Sequence, residues 1–310
     1  MAEVAVVVPA YNQDRYIASM MRAVQQQTFS DWELFIIDDG STDTTPQVVR
    51  EFLGDKRIHY VVQRNQERAV ARNAGIEKSS APYIAFLDAD DLWHPEKLAK
   101  QLAAIRAQPD VGLCYTFADS IDLDGKRLQK SGRSHAYSGK VFDRLLHSNF
   151  IVNSSVLVRR ATLMKVGLFD SQLPVFGSED WDLWLRIARQ QRVCLVEEEL
   201  TFYRVHLENT PHERILQSGL AVVDKLYSGS DRLPDSHITR SQAQAYLYMI
   251  AARTLNTSLS KSARIRLLLI GFKNYPLCIL TRTGAFAIAG LLPSVTSVIK
   301  KCVWRLKHRQ

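Results

Sequence analysis

The stretch Phe86-Leu87-Asp88-Ala89-Asp90-Asp91 closes an apolar run, Tyr83-Ile84-Ala85-Phe86-Leu87, that reads as a short buried strand. Three carboxylates within four positions repel one another and resist burial. They become favourable around a divalent cation, because Mg²⁺ and Mn²⁺ take oxygen ligands, commonly one or two carboxylates plus substrate phosphates. Ligands of open α/β sheets bind outside the carboxyl ends of the strands, so the stretch suggests a metal–diphosphate site. The plainer alternative is a solvated acidic turn that caps the next helix. For an isolated Asp-x-Asp that alternative wins, so the rest of the chain decides.

Outward from this strand, strand-like and helix-like segments alternate. Residues 4–8 precede an amphipathic stretch at 14–27, and 33–37 precede 43–53. Likewise 58–62 precede 67–78, 83–87 precede 95–107, and a further strand is expected at 112–117. This alternation implies an α/β fold, a mostly parallel sheet flanked by helices. Asp43 and Pro95 read as helix starts. Past residue 118 the rhythm becomes mixed. Asp122-Leu123-Asp124-Gly125-Lys126 reads as a hairpin turn, 150–158 as a strand, 178–190 as a helix and 193–205 as an extended segment. Asp231-Arg232-Leu233-Pro234-Asp235 reads as a linker. The expected division is a catalytic domain over residues 1–230 and a basic helical extension over 236–310, with helices at 241–255 and 263–272.

Charge separates the same two parts. The 310 residues carry a net charge of +8, yet residues 261–310 hold ten Lys or Arg and no Asp or Glu. The remainder holds 30 basic against 32 acidic side chains, and it lacks the basic, aromatic-studded groove of a nucleic-acid binder. The tail also contains 17 uncharged residues, 283–299, interrupted by Pro293. A spanning helix needs about 20 apolar residues, so an interfacial contact with a membrane surface is favoured over a span. The bland alternative is a helical subdomain or dimer contact. Four scattered cysteines without a Cys-x-x-Cys pair argue against a zinc site or disulfide framework and fit a reducing compartment. Met1-Ala2-Glu3 runs straight into the first valines, so no secretory signal is expected. The expected location is cytoplasmic, peripheral on the inner face of the plasma membrane.

Several other constellations bear on chemistry. Asp38-Asp39-Gly40-Ser41-Thr42-Asp43 stands at a strand end, where a carboxylate accepts hydrogen bonds from a base edge or a ribose; it reads equally as a capped turn. Pro9-Ala10-Tyr11-Asn12 offers a ring and an amide for a nucleobase, though Pro and Asn also begin ordinary turns. Arg72, early in a helix, is suited to neutralising phosphate or to solvation. Ser178-Glu179-Asp180-Trp181 opens a helix; Asp180 is read as a general base and Glu179 as its rival, against the bland reading of acids complementing a helix dipole. His206 ends Tyr203-Arg204-Val205-His206 as a metal or phosphate contact, or as a structural histidine.

Val6-Val7-Val8-Pro9-Ala10-Tyr11-Asn12, 38–43, Ala71-Arg72-Asn73, 86–91, Glu179-Asp180-Trp181 and Tyr203-Arg204-Val205-His206 occur in an order that resembles family 2 glycosyltransferases of the GT-A fold, across roughly residues 4–210. The resemblance implies a Rossmann-like GT-A domain, a nucleoside-diphosphate sugar donor (a UDP-sugar foremost), Mn²⁺ or Mg²⁺, and inversion at the anomeric carbon. It implies that Pro9, Tyr11, Asn12, Asp39 and Arg72 hold the nucleotide and that Asp88 contacts ribose or metal. It further implies that Asp90 binds the metal, that Asp180 is the base, that Glu179 beside it is a substrate-binding residue, and that His206 is a late metal or diphosphate ligand. The implied acceptor is a cell-surface glycan or a lipid-linked molecule. One departure is Glu67, which stands where many relatives have glycine. A nucleotidylyltransferase on a similar fold would favour a Gly-rich basic loop after the first strand, which Pro9-Ala10-Tyr11-Asn12-Gln13 does not provide. A non-catalytic nucleotide-sugar-binding membrane adaptor would not need the full acidic set.

Overall fold

Strands β1 (Val4–Ala10), β2 (Trp32–Asp38), β3 (Ile58–Val62) and β4 (Tyr83–Phe86) run parallel, in spatial order β3-β2-β1-β4. The computed structural model describes residues 2–128, 137–175, 177–206, 211–228, 230–254 and 261–275. The core strands β1 and β4 are apolar on both faces because helices cover both. Helices α1 (Ile17–Gln25), α2 (Thr45–Arg50) and α3 (Glu67–Lys78) connect the first four strands. Gly75 lets α3 lie close to β1: a Cβ there would stand 2.5 Å from Val7 Cγ1.

The sheet continues through β5 (Leu92–Trp93), α4 (Lys97–Arg106), β6 (Val111–Ile121), β7 (Leu157–Arg159), α6 (Arg160–Val166), α7 (Glu179–Gln190) and β8 (Arg192–Arg204). The helix α5 (Phe142–His147) falls between β6 and β7 in the chain. Eight strands form one sheet, ordered β3-β2-β1-β4-β7-β6-β8-β5. Here the structure departs from a simple parallel reading. β7 is antiparallel to both β4 and β6, and β5 is antiparallel to β8, while β6 and β8 are parallel. The strand expected over 150–158 shrinks to its last part, because Asn153–Ser155 form a 3-10 turn, with the Asn153 and Ser154 side chains bonded to the acidic turn after β4. The hairpin at 122–126 is present: Asp122 N–H donates to Lys126 O at 2.9 Å, and Ile121 bridges Arg127.

The chain divides into two compact units. The first comprises Met1–Val141, Phe150–Gln172 and Glu179–Asn209; the second comprises Phe142–Asn149, Leu173–Ser178 and Thr210–Gln310. Within the second, α5 is joined by α8 (His212–Tyr227), α9 (Arg240–Thr254) and α10 (Lys261–Asn274). The sequence reading has no counterpart to α8. Residues Ala245, Met249 and Ala252 of α9 pack with Leu268 of α10, and Arg264 Nε donates to Ala252 O at 3.0 Å. Residues 283–299 lie outside the described residues, and among the described residues no helix is long and apolar enough to cross a membrane.

Candidate active site

All the singled-out site residues belong to the first unit. Order reverses at β1, between β2 and β4, and the crevice at such a reversal is the usual ligand position in open α/β sheets. The ends of β1, β2 and β4 deliver Pro9 to Asn12, Asp38-Asp39 and Asp88 to Asp91 to it.

On the β1–β2 side, the two adjacent acids face different partners. Asp38 is fully buried, accepts Ser41 N–H at 2.7 Å and receives the Tyr60 hydroxyl. Burial, foremost, and this carboxylate push the Tyr60 phenol above its ordinary range. Asp39 accepts Gln63 Nε2 at 2.7 Å and Gln66 N–H at 3.0 Å, so it sits at the lip formed by the loop after β3. Gly40, with φ +82, supplies the left-handed turn just after them. Tyr11 is 46% exposed. The Asn12 residue bonds within the protein. Its Oδ1 accepts Thr42 N–H at 2.8 Å, and its own N–H donates to Ser41 Oγ at 3.0 Å. It ties two loops together, and its φ of +52 is of a kind that Asn tolerates. Pro9 closes β1 in register with Ile37. Glu67 has φ +71, the left-handed conformation that glycine adopts without steric cost. That is the physical content of the glycine this chain lacks.

On the β4 side, three carboxylates separate into three roles. Asp91 is buried, accepting the Ser154 hydroxyl at 2.5 Å and Arg204 N–H at 2.9 Å. Burial first, then the charges of Asp90 and Asp88, hold its carboxyl well above the usual range. It therefore braces the turn. Asp90 meets His206, Oδ2 to Nε2 at 2.7 Å, and its carbonyl accepts Arg204 Nε at 2.7 Å. Its carboxyl is raised by burial and next by Asp88, with His206 opposing. His206 also stacks on Tyr16, with ring centroids 5.5 Å apart. Asp88 Oδ1 receives Arg72 Nη2 at 2.7 Å and Asn153 Nδ2 at 3.0 Å, and its N–H donates to Ser154 Oγ at 3.0 Å. Among the described residues its Oδ2 has no hydrogen bond.

These donors bear on the implied cation. Among the described residues no group of three or more His, Cys, Asp or Glu forms a ready cage. The Asp90–His206 pair with Asp88 on the same turn is a partial set. A partial set fits Mg²⁺ or Mn²⁺, which complete their coordination with water and substrate phosphates.

The third cluster lies at the start of α7. Glu179 is 3% exposed and accepts Arg72 Nη1 at 3.0 Å, with Arg68 Nε 3.7 Å away. Asp180 is half-buried and accepts Trp181 N–H at 2.7 Å. Burial foremost, then the Glu179 charge, push the Asp180 carboxyl up to about 7, with Arg72 opposing. Such a carboxylate is a better proton acceptor than an ordinary one. Arg72, expected at a phosphate, is 2% exposed, with both amino groups on protein carboxylates. Its place among the buried residues of α3 brings it to them.

Sequence reasoning missed Asn153, Ser154, Tyr60, Gln63, Tyr16 and Arg204. Each acts by contacting a residue distant in sequence, so no local spacing marks it. The run Asn153-Ser154-Ser155 inside an apolar segment was the one available signal, since such polar groups need partners when buried.

The chain has recognisable relatives. The model of the family described as Glycosyl transferase family 2 matches residues 5–167. An uncharacterised glycosyltransferase of Rickettsia bellii is 34% identical over 209 residues, covering 67% of this chain and 30% of its own length. The first three curated relatives are thus far longer than this chain, which spans about a third of each. A putative teichuronic acid biosynthesis glycosyltransferase of Bacillus subtilis, TuaG, is 31% identical over 206 residues, 64% of this chain and 79% of its own. Among solved structures, TarS (residues 1–349) of S. aureus in complex with UDP superposes with TM-score 0.63 at 16% identity, covering 100% of this chain and 93% of that one. The mannosyltransferase PcManGT of Pyrobaculum calidifontis, in complex with GDP-Man and Mn²⁺, gives 0.59 at 19% identity, covering 95% and 87%. These two similarities establish a shared GT-A fold. With the family's pattern matched over half of the sequence, the chain belongs to glycosyl transferase family 2.

Proposed function

We propose that the protein is an inverting, divalent-metal-dependent glycosyltransferase that moves a sugar from a nucleoside-diphosphate donor, foremost a UDP-sugar, to a cell-envelope glycan or lipid-linked acceptor. The observation that carries this reading is the linking of two unlike acidic sites through Arg72, which bridges Asp88 and Glu179. Asp90 with His206 offers a partial cation set, while Asp180 is a carboxylate made basic by burial. Tyr11, Pro9 and Asp39 line the nucleotide end in this reading, and Asp88 faces the ribose or the cation. Asn12 contributes by fixing the 41–43 loop.

A divalent cation held by Asp90 and His206, with Asp88 alongside, would stabilise charge on the departing diphosphate. Asp180 takes the proton from the acceptor hydroxyl as it attacks, because the hydroxyl alone is a poor nucleophile. A single displacement with the base opposite the leaving group inverts the anomeric centre. Donor chemistry is supported by neighbours solved with UDP, UDP-GlcNAc and GDP-Man, and an envelope acceptor by the teichuronic acid relative. The domain reading keeps residues 1–230 catalytic and 236–310 as a basic extension that holds the enzyme on the inner face of the plasma membrane.

A panel of UDP-, GDP- and dTDP-sugars tested for hydrolysis with Mn²⁺ and with EDTA checks the proposal. Turnover of one nucleotide class, lost in EDTA, is expected. Donor binding without turnover would leave the non-catalytic nucleotide-sugar-binding adaptor, and neither turnover nor binding of any donor would remove both readings.

A further inference from the structure

The guanidinium of Arg72 occupies a place that phosphate binding does not explain. It projects from α3 into the protein, 2% exposed. One amino group lies 2.7 Å from Asp88 Oδ1 and the other 3.0 Å from Glu179 Oε1. Its Nε is buried and among the described residues has no hydrogen-bond partner, and its Cζ stands 5.3 Å from the centroid of the Phe169 ring. An arginine seeking maximal hydrogen bonding would not leave Nε bare; here the two carboxylates dictate the orientation. They belong to different halves of the site. Asp88 stands on the donor turn after β4, and Glu179 is the first residue of α7, adjacent to Asp180. A second tie joins the same region: Asn73 Nδ2 donates to Phe169 O at 2.8 Å, and Phe169 N–H returns to Asn73 Oδ1 at 3.0 Å. So consecutive residues of α3 grip the donor turn, the start of α7 and the loop before α7.

We propose that Arg72 and Glu179 are positioning residues: a planar fork bridging Asp88 and Glu179 sets the spacing between the donor turn and Asp180, and Arg72 is not a ligand of the diphosphate. This rests on the glycosyltransferase reading above. The fork is geometric. A lysine ammonium is a point charge on a flexible stem and cannot hold two carboxylates in one plane. A small displacement of a reacting group costs up to about a hundredfold in rate without loss of ground-state binding.

The experiment uses the full chain with Mn²⁺. It measures UDP affinity by calorimetry and hydrolysis of the UDP-sugar that the panel identifies (or the active nucleotide class and its diphosphate). The variants are Arg72→Lys, Glu179→Gln, the double variant and Asp180→Asn. Glu179→Gln keeps shape and one hydrogen bond, so it remains informative if Arg72→Lys fails to fold. Expected are kcat losses of about ten- to a hundredfold in Arg72→Lys and in Glu179→Gln, with nucleotide Kd within about twofold. The double variant should be no slower than the slower single, because both act through one bridge. A tenfold weaker nucleotide Kd in Arg72→Lys with kcat retained would make Arg72 a phosphate ligand and overturn the proposal. So would additive kcat losses, or unchanged kcat in Glu179→Gln. Asp180→Asn separates the two readings: if it keeps full turnover, the base assignment falls. If it loses turnover while Glu179→Gln does not, the bridge alone falls.

Discussion

At the scale of single residues, burial decides what a charged group does. Asp91 and Asp180 are both carboxyls raised by burial. Asp91 accepts a hydroxyl and a backbone N–H inside the protein, while Asp180 is half-buried at the first turn of α7. Lys97 shows the same effect with opposite sign. It is fully buried in α4, donates to Gln101 Oε1 at 2.6 Å and lies 3.9 Å from the Trp93 ring centroid. Burial lowers its pKa from 10.5 to about 7. The unfolded chain therefore binds a proton that the folded chain lacks between those values, and stability rises with pH across that window. Urea denaturation at pH 7 and pH 9.5 should show wild type gaining on the order of 1–3 kcal/mol relative to Lys97→Met. An equal change in both proteins would mean that Lys97 is charged in the fold at neutral pH.

At the scale of elements, the 3-10 turn Asn153–Ser155 is the brace of the site. Ser154 Oγ accepts Asp88 N–H and donates to Asp91, and its carbonyl accepts Trp93 Nε1 at 2.7 Å. Ser154→Ala would leave a buried carboxyl and a backbone N–H short of a partner, at a cost of about 1–3 kcal/mol. Denaturant midpoints should record that loss together with weaker Mn²⁺-dependent UDP binding; an unchanged midpoint would show that the turn does not depend on this hydroxyl. The same element marks where sequence reading stopped. The strands before residue 90 were legible because apolar runs end in Asp38-Asp39 and Asp88 to Asp91, which alternation and charge both flag. The 3-10 turn and the antiparallel β7 were not, since β7 has three residues and the turn exists to satisfy carboxylates 60-odd positions away in the chain. Arg72 was found as a residue but not as a bridge, because its partners Asp88 and Glu179 share no local pattern with it.

At the scale of the whole molecule, charge and exposed apolar surface coincide on α10. Its inner face packs on α9, whereas Ile265, Leu269 and Ile270 are exposed, Leu269 by 60%, beside exposed Arg266 and Lys273. With no acid in residues 261–310, this stripe suits an anionic lipid surface, where each basic side chain contributes about 1 kcal/mol. The full chain should co-sediment with phosphatidylglycerol vesicles at low salt and be released by added salt, and Leu269→Glu should weaken that binding. Equal binding to phosphatidylcholine vesicles, or none to either, would remove the membrane surface from the function proposed here.

The most direct test of the base role proposed for Asp180 compares Asp180→Asn with Asp90→Ala in Mn²⁺-dependent UDP binding and donor turnover. Asp180→Asn should bind UDP as wild type does and lose roughly 10²–10⁴-fold in turnover. Wild-type kcat/KM should fall as pH drops below about 7, where the raised Asp180 carboxyl takes up its proton. Asp90→Ala should lose the Mn²⁺-dependent part of UDP affinity. Full turnover in Asp180→Asn, or Mn²⁺-dependent UDP affinity unchanged in Asp90→Ala, would contradict the division of labour between the two acidic sites.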